Sequence, residues 1–323
     1  MPDVSHLPAV PERLLWRGDD LPASTGRIAL PAAVEKELDG IVATIDGNPL
    51  PLLLLRPEDF ALDASRTFMR TVKQSLDDGP GFAIVDRLPV ERWSQSGARA
   101  IWWLLASLVA RPVAQKWDGT SIYDVCDLGR PPGNGVRPDV TNAEQNFHTD
   151  NSYNNVPPHY VGLMCLRTAM AGGVSGIVSF ATAHEEMRRH HPDLLPRLYQ
   201  PFYFDRQREH APDDVMTTHH PMFERHDGRL VARLSHFQVK NGHKLAGVAL
   251  DAAGTDALEA FEAILNAPGM AARFQFEPGQ IQLIDNRALG HKRTAFRDWP
   301  EAERKRLLVR LWLRDSGNRA YNG

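Results

Sequence analysis

Between positions 306 and 314 polar and apolar residues alternate with a period of two. On an extended strand Leu307, Val309, Leu311 and Leu313 share one face, and Arg306, Leu308, Arg310, Trp312 and Arg314 share the other. Leu308 and Trp312 argue that this second face does not meet plain solvent. An arginine row set between them suits a cavity that binds carboxylates through bidentate guanidinium forks. A second alternating run, 280–285, comes just before and leads into Asn286-Arg287-Ala288-Leu289-Gly290-His291. The pattern predicts a strand ending at His291 beside the strand that carries Arg310.

The first third of the chain has a different texture. Helices are predicted over 31–45 and 63–76, with Pro31 in a first turn where its missing N–H costs little. The cluster Asp77-Asp78-Gly79-Pro80-Gly81 ends the second. A buried strand at 82–85 and a long helix at 90–109 follow, and Trp93, Trp102 and Trp103 on that helix read as core. From 113 the pattern changes to short strands at 113–117, 121–126, 147–150, 160–166 and 177–181. Helical pieces at 184–190 and 193–199 interrupt them. Beyond lie a strand at 202–204 and a hairpin of 222–224 with 230–234, turned at His226-Asp227-Gly228. A helix at 256–266 and a strand at 273–276 complete the series. Many short strands separated by Gly and Pro turns argue for a sandwich or barrel. The fold class is α+β with a mainly β core. One domain over 1–323 is expected, residues 1–80 forming an irregular leader and helices packed on the β core of 81–323.

Composition narrows the function more than the fold. Of 323 residues 42% are hydrophobic and 24% charged, ordinary values for a globular chain with a sizeable core. A net charge of −3 gives no basic field for nucleic acid and no pull toward a membrane surface. Cys126 and Cys165 are too few for a disulfide framework, which points to a reducing, cytoplasmic setting. The first seven residues lack a signal-peptide pattern. The most apolar run, 100–110, has 11 residues and is too short to cross a bilayer. The partner expected is a small molecule, neither nucleic acid nor membrane, with homo-oligomerisation left open.

Three His-x-acid triplets compete for a metal: His148-x-Asp150, His184-x-Glu186 and His191-x-Asp193. His184 and Glu186 fall in a helical stretch, where residues two apart diverge by about 200°. His191-Pro192-Asp193 sits between helical pieces, where Asp193 would serve as an N-cap. Only His148 and Asp150 lie in a predicted strand, from which an imidazole and a carboxylate project together. With a second histidine they would make a facial triad, the donor set that leaves positions open on iron(II).

Phe147-His148-Thr149-Asp150, Gly172-Gly173-Val174-Ser175, Asn286-Arg287-Ala288-Leu289-Gly290-His291 and Arg306-Leu307-Leu308-Val309-Arg310 occur in this order. In combination they resemble the iron(II)/2-oxoglutarate-dependent oxygenases, in the taurine dioxygenase-like branch that includes the clavaminate synthase-like enzymes. The resemblance runs from about residue 82 to 314. It implies a double-stranded β-helix, or jelly roll, with Fe(II), 2-oxoglutarate and O2 as cofactor and co-substrates. It implies His148, Asp150 and His291 as catalytic metal ligands. It places Arg310 or Arg306 on the distal carboxylate of 2-oxoglutarate, with Arg310 favoured, and Ser175 where relatives often have a threonine hydroxyl. The implied reaction couples decarboxylation of 2-oxoglutarate to succinate with oxidation, chiefly hydroxylation, of a C–H bond in a small polar molecule. That molecule is anionic or amino-acid-like. The carboxylate of Asp150 speaks against halogenation, since related halogenases lack it. Asn151, Tyr153 and Arg314 are the substrate-side candidates, Arg314 competing with a local pairing to Asp315. Two readings of other classes stay open: a cupin-type hydrolase or isomerase using zinc or manganese, and a non-catalytic binding relative.

Overall fold

The computed structural model describes residues 10–130, 138–226 and 228–322. The alternation at the C-terminus builds the centre of the larger sheet. Leu307–Arg314 pairs with Tyr160–Arg167 on one side and with Arg111–Val113 and Tyr123–Val125 on the other. Beyond Tyr160–Arg167 the sheet continues through Ile281–Asp285, Phe82–Asp86 and Arg27–Ala29. A smaller sheet runs Ala272–Phe274, Ser175–Ser179, Leu289–Arg293 and Gln145–His148. The two sheets share one apolar core, to which the larger gives Val161, Ile284, Leu308 and Trp312 and the smaller gives Phe147, Ile177 and Leu289. This is a jelly roll.

The other face of the large sheet carries Leu283, Val309, Leu311 and Leu313, covered by the helices Ala32–Gly47, Asp63–Asp77 and Gln95–Val109. Trp102 is the centre of that layer. It is fully buried, and its indole N–H donates to the Val309 carbonyl at 3.0 Å. Its ring lies over Gly162, where a Cβ would come within 2.6 Å of it. Truncation of such a residue to alanine costs about 3–5 kcal/mol.

Several boundaries differ from those predicted, each for a local reason. The long helix begins at Gln95 rather than 90, because the Ser94 hydroxyl caps it by accepting from Gly97 N at 2.9 Å. The helix predicted at 193–199 shrinks to Leu195–Leu198, and Asp193 does not cap it. The hairpin strands are Phe223–His226 and Arg229–Ala232, while Asp227 of the predicted turn lies outside the described residues, as do residues 1–9 of the leader. Several elements were not foreseen, among them the edge strand Arg27–Ala29. Thr217–His220 pairs with Phe202–Asp205, and His236–Ala246 is a helix with Ser235 as N-cap and left-handed Gly247 at its end. His291 and Arg310 are not on adjacent strands: the chain leaves the large sheet at Asp285 and re-enters the small one at Leu289, so they face each other across the sandwich.

Candidate metal centre

His148 and His291 sit opposite each other in antiparallel register on adjacent strands of the small sheet, with ring centroids 4.2 Å apart. Asp150 corrects an expectation, because its strand stops at His148 and Asp150 lies in the turn beyond. What aims it is Asn286. The Asn286 amide accepts from Asp150 N at 2.8 Å and donates to Asp150 O at 3.0 Å and Pro158 O at 3.2 Å. The loop that leads to His291 thereby fixes the turn that carries the carboxylate.

Asp150 Oδ1 lies 3.3 Å from His148 Nε2 and 3.5 Å from His291 Nε2. Ligand atoms held about 2.1 Å from a common ion stand about 3 Å apart, so the set fits one ion with little movement. It is the group of three possible ligands found among the described residues, all within 4.8 Å of one another. His148 Nδ1 donates to the Asn146 carbonyl at 2.9 Å, which leaves the lone pair on Nε2, where the Gln145 amide now donates at 2.9 Å. Asp150 Oδ2 is held separately by Trp312 Nε1 at 2.7 Å and Arg310 Nη1 at 3.1 Å. Burial pushes the Asp150 carboxyl up, but Arg310 and the two imidazoles more than offset this and hold it well below the usual range. Burial and then His148 hold His291 below the ordinary imidazole value. A deprotonated carboxylate and an imidazole biased toward its neutral form are what metal ligation requires.

Two cavities meet at this centre. The wider, about 250 Å³, is lined by Gln145, Asn151, Tyr153, His236, Gln238 and Trp312 among others. Two of the expected substrate-side residues are therefore in place: Asn151 at a left-handed φ of 56°, and Tyr153 bonded to the Tyr321 hydroxyl at 2.9 Å. The narrower, about 40 Å³, contains Ser175, Arg293, Arg306 and Leu308 and reaches His148, Asp150, His291 and Arg310. It is rich in donors that lack acceptors. Arg306 Nη1, Arg293 Nε and the Gln282 amide nitrogen, whose oxygen accepts from Ser175 Oγ at 2.9 Å, are buried without a partner among the described residues. Gly172 and Gly173 are both left-handed: a Cβ on Gly172 would meet the Ala295 carbonyl at 2.3 Å, and one on Gly173 would lie 3.5 Å from Arg306 Nε.

The three arginines of the C-terminal strand have separate fates. Arg306 is 5% exposed, lies against the Phe296 ring at 5.1 Å, and is pushed down to about 10 by burial. Arg310 is ion-paired within the protein: besides Asp150 it lies 3.5 Å from Asp139 Oδ2 through an Nη2 that makes no hydrogen bond, and it donates through Nε to Gln115 Oε1 at 2.8 Å. Arg314 lines neither cavity, which corrects its assignment to the substrate. It donates to the carbonyls of Ala320, Val156 and Tyr321 and so ties down the C-terminal segment, while Asp315 pairs with Lys73 instead. Gln115, Asp139 and the clamp role of Asn286 went unread in the sequence. Only Asn286 carried a signal, through its place in the run before His291.

Residues 48–312 match the family described as Taurine catabolism dioxygenase TauD, TfdA family. The chain belongs to this family. It is an iron(II)/2-oxoglutarate-dependent dioxygenase, as the motifs implied. FR-33289 synthase of Streptomyces rubellomurinus is 26% identical over 77% of this chain and 73% of its own. The taurine hydroxylase-like protein SAT17 of Stachybotrys chartarum is 23% identical over 88% of this chain and 74% of its own. Among solved structures, an asparagine oxygenase with Fe(II), 3-hydroxyasparagine and succinate superposes with a TM-score of 0.68 at 18% identity, over 90% of this chain and 94% of that one. The non-heme iron oxygenase OrfP with Fe and α-ketoglutaric acid gives 0.65 at 13% identity, over 90% and 94%. These neighbours bear out the jelly roll. Family membership and the intact donor set favour neither the cupin-type hydrolase or isomerase nor a silent relative.

Proposed function

We propose that this dioxygenase hydroxylates a small, polar, amino-acid-like molecule, holding 2-oxoglutarate through Arg306 and Ser175 rather than through Arg310. The observation that carries the assignment is the Arg306 guanidinium, buried beside the metal ligands with an unpartnered Nη1 and, unlike Arg310, no ion pair among the described residues. A buried cation without an anion is costly, and a dicarboxylate with one end on the metal would bring the missing charge. Arg310 already has Asp150 and Asp139 as anionic neighbours, so its role is to hold Asp150 Oδ2 and leave Oδ1 facing the two histidines. A half-turn of the Gln282 amide would let its nitrogen donate to Ser175 Oγ and free the Ser175 proton for the ligand.

When bound, iron(II) and 2-oxoglutarate supply the oxidising chemistry, 2-oxoglutarate being decarboxylated to succinate. The chain's own residues orient the reactants and shape the cavity in which the target carbon lies. The wider cavity offers neutral amides and hydroxyls from Gln145, Asn151, Tyr153 and Gln238. That lining supports a substrate of amino-acid size, in keeping with the asparagine and arginine derivatives bound by the solved neighbours. Among the described residues no helix is long and apolar enough to cross a membrane, and the free thiols of Cys126 and Cys165 suit a reducing cytoplasm.

The test is anaerobic visible spectroscopy. Iron(II) with 2-oxoglutarate should give the weak charge-transfer band of the chelate in wild type and no band in His148→Ala. Free L-amino acids, added in turn, identify the substrate class by perturbing the band. An absent band in iron-loaded wild type contradicts the reading.

A further inference from the structure

The cavity that holds Arg306 holds a second buried arginine. Arg293 is two residues beyond His291 on the strand Leu289–Arg293, and it is 7% exposed. Its guanidinium lies 4.7 Å from the Phe296 ring centroid, and that of Arg306 lies 5.1 Å from the same ring. One aromatic side chain thus supports two cations in one small cavity. Arg293 Nη2 donates to the Ala143 carbonyl, which fixes the side chain, while Nε finds no acceptor among the described residues. Neither arginine has a carboxylate at ion-pairing distance among the described residues.

Two like charges buried together oppose folding unless something neutralises them. Both guanidiniums are buried and stay charged at neutral pH. A carboxylate carries two oxygens and several lone pairs, enough for a donor from each side. Resting on the reading that this cavity takes 2-oxoglutarate, we propose that Arg293 is a second anchor for its distal carboxylate, so that Arg293 Nε and Arg306 Nη1 grip it together. Such a double grip selects a dicarboxylate over a 2-oxo acid of equal length that ends in a methyl group.

The experiment titrates 2-oxoglutarate and 2-oxopentanoate, which has a methyl in place of the distal carboxylate. Both are added anaerobically to the iron-loaded protein and followed by the charge-transfer band. Wild type, Arg293→Gln, Arg293→Lys and Arg306→Gln are compared, and near-UV circular dichroism checks that each variant is folded. Loss of one charged anchor is expected to raise the Kd for 2-oxoglutarate about tenfold or more in Arg293→Gln. The Kd for 2-oxopentanoate should stay unchanged, and Arg293→Lys should recover part of the loss. In a readout without iron, succinate should raise the Tm of wild type more than that of Arg293→Gln. If Arg293→Gln binds 2-oxoglutarate as wild type does while Arg306→Gln is weakened, this proposal is overturned and the cavity assignment stands. Equal weakening for both acids in Arg293→Gln assigns the residue a structural role and also overturns it. Should wild type bind neither acid, the cavity assignment fails and takes this proposal with it.

Discussion

The C-terminal strand has an arginine at each end, and the two ends behave in opposite ways. Arg306 stands just before the strand in a cavity where buried N–H groups lack acceptors, while Arg314 closes the strand among backbone carbonyls. Both are buried, and both belong to the same alternating face. The difference lies in what surrounds them. At the Arg314 end, the carbonyls of Val156, Ala320 and Tyr321 accept from both terminal nitrogens, and only Nε is left without an acceptor among the described residues. Arg306 lies against Phe296 and shares its cavity with Arg293 and Ser175, while Asp298 accepts from its backbone N–H at 2.8 Å and forms no ion pair with the guanidinium. A guanidinium whose terminal nitrogens are both bound by carbonyls stabilises the fold, whereas one with a terminal nitrogen left open and no ion pair is a candidate for a ligand.

That contrast can be pressed from several sides. The largest effect belongs to Arg306→Gln. Removing one partner of a buried charge pair costs about 2–5 kcal/mol, so its Kd for 2-oxoglutarate should rise on the order of 10²-fold while the protein remains folded. Arg314→Ala should do the reverse. It leaves buried carbonyls without donors and should lower stability by about 3 kcal/mol in denaturant unfolding, with the Kd for 2-oxoglutarate unchanged. Trp312→Phe, on the same face between them, removes the donor to Asp150 Oδ2 at 2.7 Å. Loss of such an outer partner weakens metal binding by about tenfold, measurable by iron(II) titration, and should leave the co-substrate contact largely intact.

The period of two from 306 to 314 was legible because both faces are buried in different cores, Val309 and Leu311 under the helices and Leu308 and Trp312 between the sheets. The three candidate metal ligands were legible as residue types in order, but the geometry first offered for Asp150 was not the one observed. A carboxylate in a turn is aimed by a partner distant in sequence, and Asn286 lies 136 positions away. Gln115 and Asp139 were hidden for the same reason: each reaches Arg310 only after the chain has folded, from a short strand's end and a single helical turn. Arg314 was misassigned because a strand pattern reveals which face a side chain occupies and not which carbonyls wait there. The helix His236–Ala246 did carry signals, Ser235 before it and Gly247 after it, and these went unused.

The most direct measurement sets Arg306 against Arg310 in one assay: anaerobic 2-oxoglutarate titration at saturating iron(II), read from the charge-transfer band. The account predicts that Arg306→Gln shifts the titration to far higher concentration, while Arg310→Gln needs more iron and then binds 2-oxoglutarate nearly as wild type does. A titration lost in Arg310→Gln and preserved in Arg306→Gln would contradict it and return the co-substrate carboxylate to Arg310.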